Sequence, residues 1–186
     1  MGIQLRSGRG PTFRGLGWAF GAVVLALASL TATAWPAPGA LPAAGALPAV
    51  GALPPPVSPT CITSPFGPRV LAGLPIAGTF HYGVDLRAPP GTAVRAVAAG
   101  QVIGIDRRGA GGLEVRVRHS GFDALYAHLG LLAPALLRGK HTLAAGEKIA
   151  VVGRSGLTFG PHLYFEIIIH GQRVDPAPYL LTAPCR

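Results

Sequence analysis

The sequence predicts an all-β domain, mostly antiparallel sheet, that spans about residues 61–182. Short segments with alternating apolar or β-branched residues recur there, and Gly, Pro or Asp bounds each one. These segments are AVRAVAAGQVIGIDRR, LEVRVRHS, DALYAHL, KIAVVGRSG and HLYFEIIIHGQRV. A helical turn is suggested only by ALLRGK, near Leu136. The length of 186 residues, with 49% hydrophobic and 12% charged residues, is enough for one domain with a core and short for two.

The first 34 residues have the composition of an export signal. Three arginines precede an uncharged run of 16 residues, GLGWAFGAVVLALASL, and Ala-Thr-Ala, ending at Ala34, offers small residues for cleavage. We therefore expect a signal helix within residues 1–34, with cleavage after Ala34 and export to the periplasm or the cell exterior. The alternative is an uncleaved membrane anchor, because the apolar run is only slightly shorter than the ~20 residues that a spanning helix needs.

The next segment, residues 35–60, is predicted to be a linker rich in Ala, Pro and Gly. It contains three six-residue units, GALPAA, GALPAV and GALPPP, between Gly39 and Pro56. Units with one to three prolines in six residues cannot close a packed layer, so we expect a semi-extended spacer. The globular domain is accordingly placed at residues 61–186.

The two cysteines, Cys61 and Cys185, lie at the two ends of that domain. In an exported protein such a pair most simply forms one disulfide. Closing a loop of about 124 residues would stabilise the fold by roughly 4–5 kcal/mol if the effect is chain entropy. Two unrelated buried thiols are the alternative.

The charge balance is basic, with a formal net charge of +9. Three of the 16 Lys and Arg residues lie in the signal, which leaves 13 against 7 acidic residues, or +6. Such a protein is attracted to anionic surfaces, and a bacterial envelope supplies them. Nucleic acid also fits the charge, but the basic residues are scattered and no nucleic-acid reading motif is present. We therefore expect no nucleic-acid partner, and membrane contact only through an uncleaved signal.

Three histidines at predicted strand edges carry the candidate chemistry. His81 belongs to HYGVD, four residues before Asp85; His128 belongs to YAHL; His162 belongs to GPHLYFE. Imidazole nitrogens and carboxylate oxygens are good zinc ligands. Alternation in the last segment places Glu166 on the same strand face as His162, where it can orient that imidazole or pair with an arginine such as Arg87.

The remaining candidates are expected to be structural. His119 is predicted to lie at a turn or on the surface, and His141 and His170 beside solvated glycine turns. Tyr126 is expected to be packed in the core.

The motifs together resemble a known family. The segments HYGVD, GTAVRAVAAGQV, VRHSGFDALYAHL, AAGEKIAVVGRSG and GPHLYFE have the order and spacing of the lysostaphin-type, or LytM-like, zinc endopeptidases, which cut peptide cross-links in bacterial cell walls. SPFGPR and VDPAPYL resemble the two ends of that domain. The resemblance covers nearly all of residues 61–181 and implies a LytM-like β domain with one zinc ion.

The resemblance also implies roles for individual residues. His81 and Asp85 match two zinc ligands of the family. His128 and His162 match two catalytic histidines beside the metal-bound water and the scissile carbonyl, where one helps to activate the water and the other stabilises the oxyanion.

The third ligand of the family, the second histidine of an H-x-H strand, falls on Tyr164 in this sequence. A phenol ionises near pH 10, and its oxygen lies ~2 Å farther from the backbone than the near imidazole nitrogen. A zinc phenolate beside Asp85 is chemically allowed but makes the metal a weaker Lewis acid. Without this ligand, zinc affinity should fall by roughly two decades. Zinc is therefore expected to bind weakly, or not at all if Tyr164 does not ligate.

Two functions remain open. The first is a degenerate, weakly active or inactive domain that binds peptidoglycan or activates a partner such as a cell-wall amidase. The second is an active zinc endopeptidase in which Tyr164 is an unusual ligand or a tolerated gap. We favour the first. A biotin or lipoyl carrier, suggested by GTAVRAVAAGQV, is excluded because neither Lys140 nor Lys148 has the setting of a hairpin tip.

Overall fold

The computed structural model describes residues 51–69, 79–107 and 109–186. The predicted signal over residues 1–34 and most of the predicted linker lie outside these ranges. In the part of the chain that is described, no helix is long and apolar enough to cross a membrane.

The described part of the chain is built almost entirely of short strands, which confirms the predicted all-β class. The one α-helix, Pro134–Leu137, lies where a helical turn is predicted and has proline in its first turn. The strands are β1 (Ile62–Ser64), β2 (Gly67–Pro68), β3 (Phe80–His81), β4 (Val84–Arg87), β5 (Ala93–Arg95), β6 (Gly100–Asp106), β7 (Glu114–His119), β8 (Phe122–Ala127), β9 (Leu129–Leu132), β10 (Thr142–Leu143), β11 (Lys148–Val152), β12 (His162–Ile169) and β13 (Gln172–Val174); a 3₁₀ helix follows at Ala177–Tyr179.

Most strands belong to one large antiparallel sheet. Its order is β1-β4-β12-β8-β7-β6-β10, with β13 paired to β12; β5, β11 and β9 form a second sheet, and β2 and β3 form a third. Alternation along the strands divides the large sheet into a buried face and an outward face. In β12, Leu163, Phe165 and Ile167 are fully buried, so the intervening residues of that strand point outward.

The close packing of β4 against β12 depends on a glycine. A Cβ on Gly83, the middle residue of HYGVD, would collide with the backbone carbonyl of Phe165. Because glycine lets the two backbones approach, β4 pairs with β12 in a register that sets Asp85 opposite Tyr164. This register brings the HYGVD and GPHLYFE motifs together.

Residues 53–57 differ from the predicted spacer. Leu53 and Val57 are buried in the core. The amide of Leu53 donates to the carbonyl of Tyr179 at 2.7 Å, and the amide of Leu181 donates to the carbonyl of Leu53 at 2.9 Å. The third GALP unit therefore packs as part of the domain, because its leucine covers apolar surface and its backbone finds partners near the C-terminus.

The predicted disulfide is present. Cys61 and Cys185 are bonded, with their Cα atoms 4.9 Å apart. The segment before Cys185 runs beside β1, since the amide of Cys185 donates to the carbonyl of Ile62 at 2.9 Å. The bond therefore fastens the C-terminal end of the domain to its first strand.

The prediction for His119 is also wrong. His119 is buried and lies neither on the surface nor in a solvated turn. Its place in β7 puts it on the same inward face as Val115 and Val117, where it stacks on Phe122 with ring centroids 4.8 Å apart. Tyr126 is fully buried as predicted, and its hydroxyl accepts a hydrogen bond from the amide of Val97 at 3.1 Å.

Candidate metal centre and binding groove

The predicted site residues come together in one groove on the outward face of the large sheet. His81 ends β3, Asp85 lies in β4, His162 and Tyr164 lie in β12, and His128 follows β8 directly. All five line a cavity of about 330 Å³. Strand order explains the convergence, because β12 lies between β4 and β8 in the sheet.

Asp85 lies between two of the histidines. Its Oδ1 is 3.2 Å from Nε2 of His81 and 3.3 Å from Nε2 of His162. Burial opposes ionisation of this carboxyl, but the hydrogen bonds and charges of His162 and His81 outweigh it and lower the pKa of Asp85. Burial likewise opposes a charge on His162, yet its hydrogen bond to Asp85 raises the pKa of that imidazole. The two groups therefore favour a carboxylate paired with an imidazolium.

Each histidine of the groove is oriented through its Nδ1. In His81, Nδ1 lies 2.8 Å from the carbonyl oxygen of Pro65. The corresponding distance is 2.9 Å for His162, to the carbonyl of Gly160. A carbonyl only accepts, so Nδ1 carries the proton and Nε2 is turned into the groove. This is the arrangement in which histidines bind metals or exchange protons.

His128 has the same arrangement with a strained backbone. Its φ of 60° lies in the left-handed region, which non-glycine residues rarely adopt. Its amide donates to Gly111 at 2.9 Å and its Nδ1 lies 2.9 Å from the carbonyl of Ser155. Burial lowers the pKa of His128. The imidazole of His128 therefore favours the neutral form. These contacts hold its ring centroid 4.8 Å from the ring centroid of His162.

The hydroxyl of Tyr164 is engaged by a neighbouring carboxylate. It donates to Oε1 of Glu166 at 2.6 Å, and Oε2 of Glu166 accepts from Nε of Arg173 at 2.9 Å. The guanidinium of Arg173 lies over the ring of Tyr82, 5.1 Å from its centroid. Burial, followed by the charge of Glu166, raises the pKa of Tyr164. The phenol is thus held as a protonated donor.

Glu166 pairs with an arginine, as one of the two predicted alternatives has it, but the arginine is not the one named there. It pairs with Arg173 and not with Arg87, because the β12–β13 hairpin sets Arg173 opposite Ile168, two residues from Glu166. Among the described residues, no group of three or more His, Cys, Asp or Glu side chains is placed to hold a metal ion.

Sequence reasoning missed the walls and floor of the groove. Leu157 and Phe159 are 58% and 60% exposed and Tyr82 is 49% exposed, and all three line it. Glu114 and Arg116 of β7 line it as well. The alternation in LEVRVRHS is the signal that places these two charged residues on the outward face.

The sequence profile of Peptidase family M23 matches residues 79–176, a range that contains every candidate catalytic and metal-ligating residue. The chain belongs to this family. The match confirms the resemblance to the lysostaphin-type endopeptidases that the motifs predict.

Three individual proteins extend the comparison. The chain is 41% identical over 132 residues to the DD-carboxypeptidase/endopeptidase Mpg of Neisseria meningitidis serogroup B, covering 69% of this chain and 29% of that protein. It is 40% identical over 127 residues to the murein hydrolase activator EnvC of Escherichia coli K12, covering 61% and 30%. A zinc containing peptidase from Vibrio cholerae has a similar structure, with a TM-score of 0.56, 29% identity and coverage of 65% and 37%. This M23 chain therefore spans only about a third of each of the three.

Proposed function

We propose that this chain is an exported M23 domain that binds peptidoglycan through its groove and is weakly active or inactive as a hydrolase. One observation carries the proposal. The position that matches the third zinc ligand of the family is Tyr164, whose hydroxyl donates to Glu166.

The donor set does not fit a catalytic zinc ion, which takes three protein ligands and one open position. His81 and Asp85 supply two ligands, and if Nε2 of His162, 3.3 Å from Oδ1 of Asp85, supplied a third, the catalytic role of that histidine would be vacant. To supply the third, Tyr164 would have to lose its proton and its hydrogen bond and leave a phenolate beside the carboxylate of Glu166. Such a like-charge pair is unfavourable, in line with the raised pKa of Tyr164.

The binding part of the proposal rests on what the groove retains. It is open and has exposed apolar walls, and the predicted mature chain has a net charge of +6 that favours anionic wall material. By name, Mpg is a DD-carboxypeptidase/endopeptidase, ShyB of Vibrio cholerae is a peptidoglycan DD-endopeptidase, and EnvC is a murein hydrolase activator. Likeness to EnvC supports activation of a cell-wall hydrolase, such as an amidase, as a further role.

Export is part of the same proposal. A signal over residues 1–34 would deliver the chain to an oxidising compartment, where the Cys61–Cys185 bond persists. Sequencing of the mature N-terminus tests it, and we expect Trp35. An intact N-terminus on membrane-bound protein would instead support the anchor.

Sedimentation with purified peptidoglycan and release of soluble fragments from it test the two parts separately. We expect the protein to sediment with the polymer and to release little or nothing. The alternative function, an active zinc endopeptidase in which His128 and His162 are catalytic, predicts zinc-dependent release that is lost with a chelator. Failure to sediment would contradict the binding role, and stimulation of an added amidase would support the activator role.

A further inference from the structure

Two charged side chains of the groove have no counter-charge bonded to them. Glu114 and Arg116 lie two residues apart on the outward face of β7, and both line the groove. Within the described ranges neither forms an ion pair or a side-chain hydrogen bond. Arg118, the next outward residue of β7, differs because it makes two hydrogen bonds to Asp123, at 2.9 and 3.1 Å.

The surroundings of Glu114 favour a cation from outside the protein. Its Oε2 lies so close to Gly111 that a Cβ there would collide with it. This carboxyl is half-buried, and burial, followed by the charge of Asp106, raises its pKa against the opposing effect of the charge of Arg116. An ammonium group placed beside it would relieve both effects.

Arg116 is exposed and lies opposite Leu125 of β8 in the sheet. A guanidinium presents several N–H donors in one plane and binds carboxylates with two parallel hydrogen bonds. Arg173 of β13 also lines the groove, but it is paired with Glu166. The guanidinium of Arg116, which has no ion pair within the described residues, is therefore available to an anionic ligand group.

We propose that Glu114 and Arg116 form a subsite for a zwitterionic group on a bound peptide, with Glu114 accepting from its ammonium and Arg116 donating to its carboxylate. The proposal rests on the proposed peptide-binding function and adds the class of ligand. Two residues apart on one strand face, the two Cα atoms are separated by about 6.6 Å. An ammonium and a carboxylate on one carbon can lie between them and form hydrogen bonds of about 2.8 Å to each.

The neighbouring wall suits the rest of such a ligand. Leu157 is fixed beside this end of the groove by a hydrogen bond from its amide to the carbonyl of Ala110, at 2.8 Å. Its side chain is exposed, so it can cover the aliphatic part of a side chain that ends in the zwitterion. A peptide with only one of the two charges would leave one protein group without a partner.

The test uses isothermal titration calorimetry of the exported protein with a synthetic tripeptide that ends in diaminopimelate, whose side chain ends in a carbon with an ammonium and a carboxylate. Two analogues, one with that amine acetylated and one with that carboxylate amidated, should each bind at least about tenfold more weakly. Tenfold corresponds to about 1.4 kcal/mol, near the lower end for one charged hydrogen bond.

Matched variants test which protein residue binds the ammonium of the ligand and which binds its carboxylate. Glu114→Gln should bind the parent and the acetylated peptide equally, and Arg116→Gln should bind the parent and the amidated peptide equally. Arg118→Gln, on the same strand face, should retain the discrimination of the wild-type protein. Unchanged thermal unfolding of the three variants shows that they fold.

The possible results distinguish failure of the proposed subsite from failure of the peptidoglycan-binding function on which it rests. If the analogues bind as tightly as the parent peptide, or if the tripeptide does not bind while the protein still sediments with peptidoglycan, the subsite is wrong and the binding function stands. If the protein binds neither the peptide nor the polymer, both proposals are wrong.

Discussion

Replacing Tyr164 with histidine should complete a ligand triad with His81 and Asp85. An average ligand of a four-ligand zinc site contributes about 3 kcal/mol, so zinc affinity should rise roughly a hundredfold. The exchange also removes the donor to Oε1 of Glu166. Since Glu166 keeps Arg173, the loss of stability should stay near the lower end of the ~1–3 kcal/mol expected for a buried acceptor without its partner.

Tyr164→Phe is the matched control, because it removes the same hydroxyl and adds no ligand. Both variants should lose similar stability in urea unfolding, while only Tyr164→His gains zinc in titrations against a chelating indicator. The histidine variant should also release more fragments from purified peptidoglycan. Adding His162→Ala should abolish that release and leave zinc bound.

Two results would refute this reasoning. Zinc affinity of Tyr164→His equal to that of Tyr164→Phe would show that the position does not reach a metal. Tight zinc binding and hydrolysis by the wild-type protein, unchanged or reduced in Tyr164→His, would show that the tyrosine is a working ligand.

Three further predictions concern the fold. Reduction of the Cys61–Cys185 bond should lower the melting temperature, in line with roughly 4–5 kcal/mol for a loop of this length; an unchanged melting temperature would contradict it. Leu53→Ala should cost about 2–3 kcal/mol in urea unfolding because a buried leucine is truncated, whereas Leu131→Ala, at a side chain that is 70% exposed, should cost little; equal effects would mean that the third GALP unit is not docked. Burial lowers the pKa of His119, so the unfolded chain takes up its proton first as the pH falls below about 6.5, and this histidine reduces stability in acid. The stability deficit of His119→Asn relative to wild type should therefore shrink between pH 7.5 and pH 5, and a constant deficit would argue against the buried neutral imidazole.

Much of this site can be predicted from the sequence because strand alternation and the order of the motifs can be read from neighbouring residues. Alternation in GPHLYFEI places His162, Tyr164 and Glu166 on one strand face, and the ordered motifs identify the family. The same reasoning places the only α-helix of the described residues at ALLRGK.

Other features depend on contacts between distant segments. The pairing of Glu166 with Arg173 depends on the register of a hairpin. The docking of Leu53 depends on a bridge to Leu180, 127 positions further along the chain, which the proline-rich composition of the repeats conceals. For His119, alternation along β7 indicates the inward face, whereas its position at the end of the strand favours a turn or the surface.

The most direct test of a groove without a catalytic zinc ion is the zinc content of the exported wild-type protein. The protein is dialysed against trace zinc and analysed by elemental mass spectrometry, with Tyr164→His treated in parallel. The proposed function predicts far less than one zinc ion per wild-type chain and close to one per Tyr164→His chain. Near-stoichiometric zinc in the wild-type protein would contradict it.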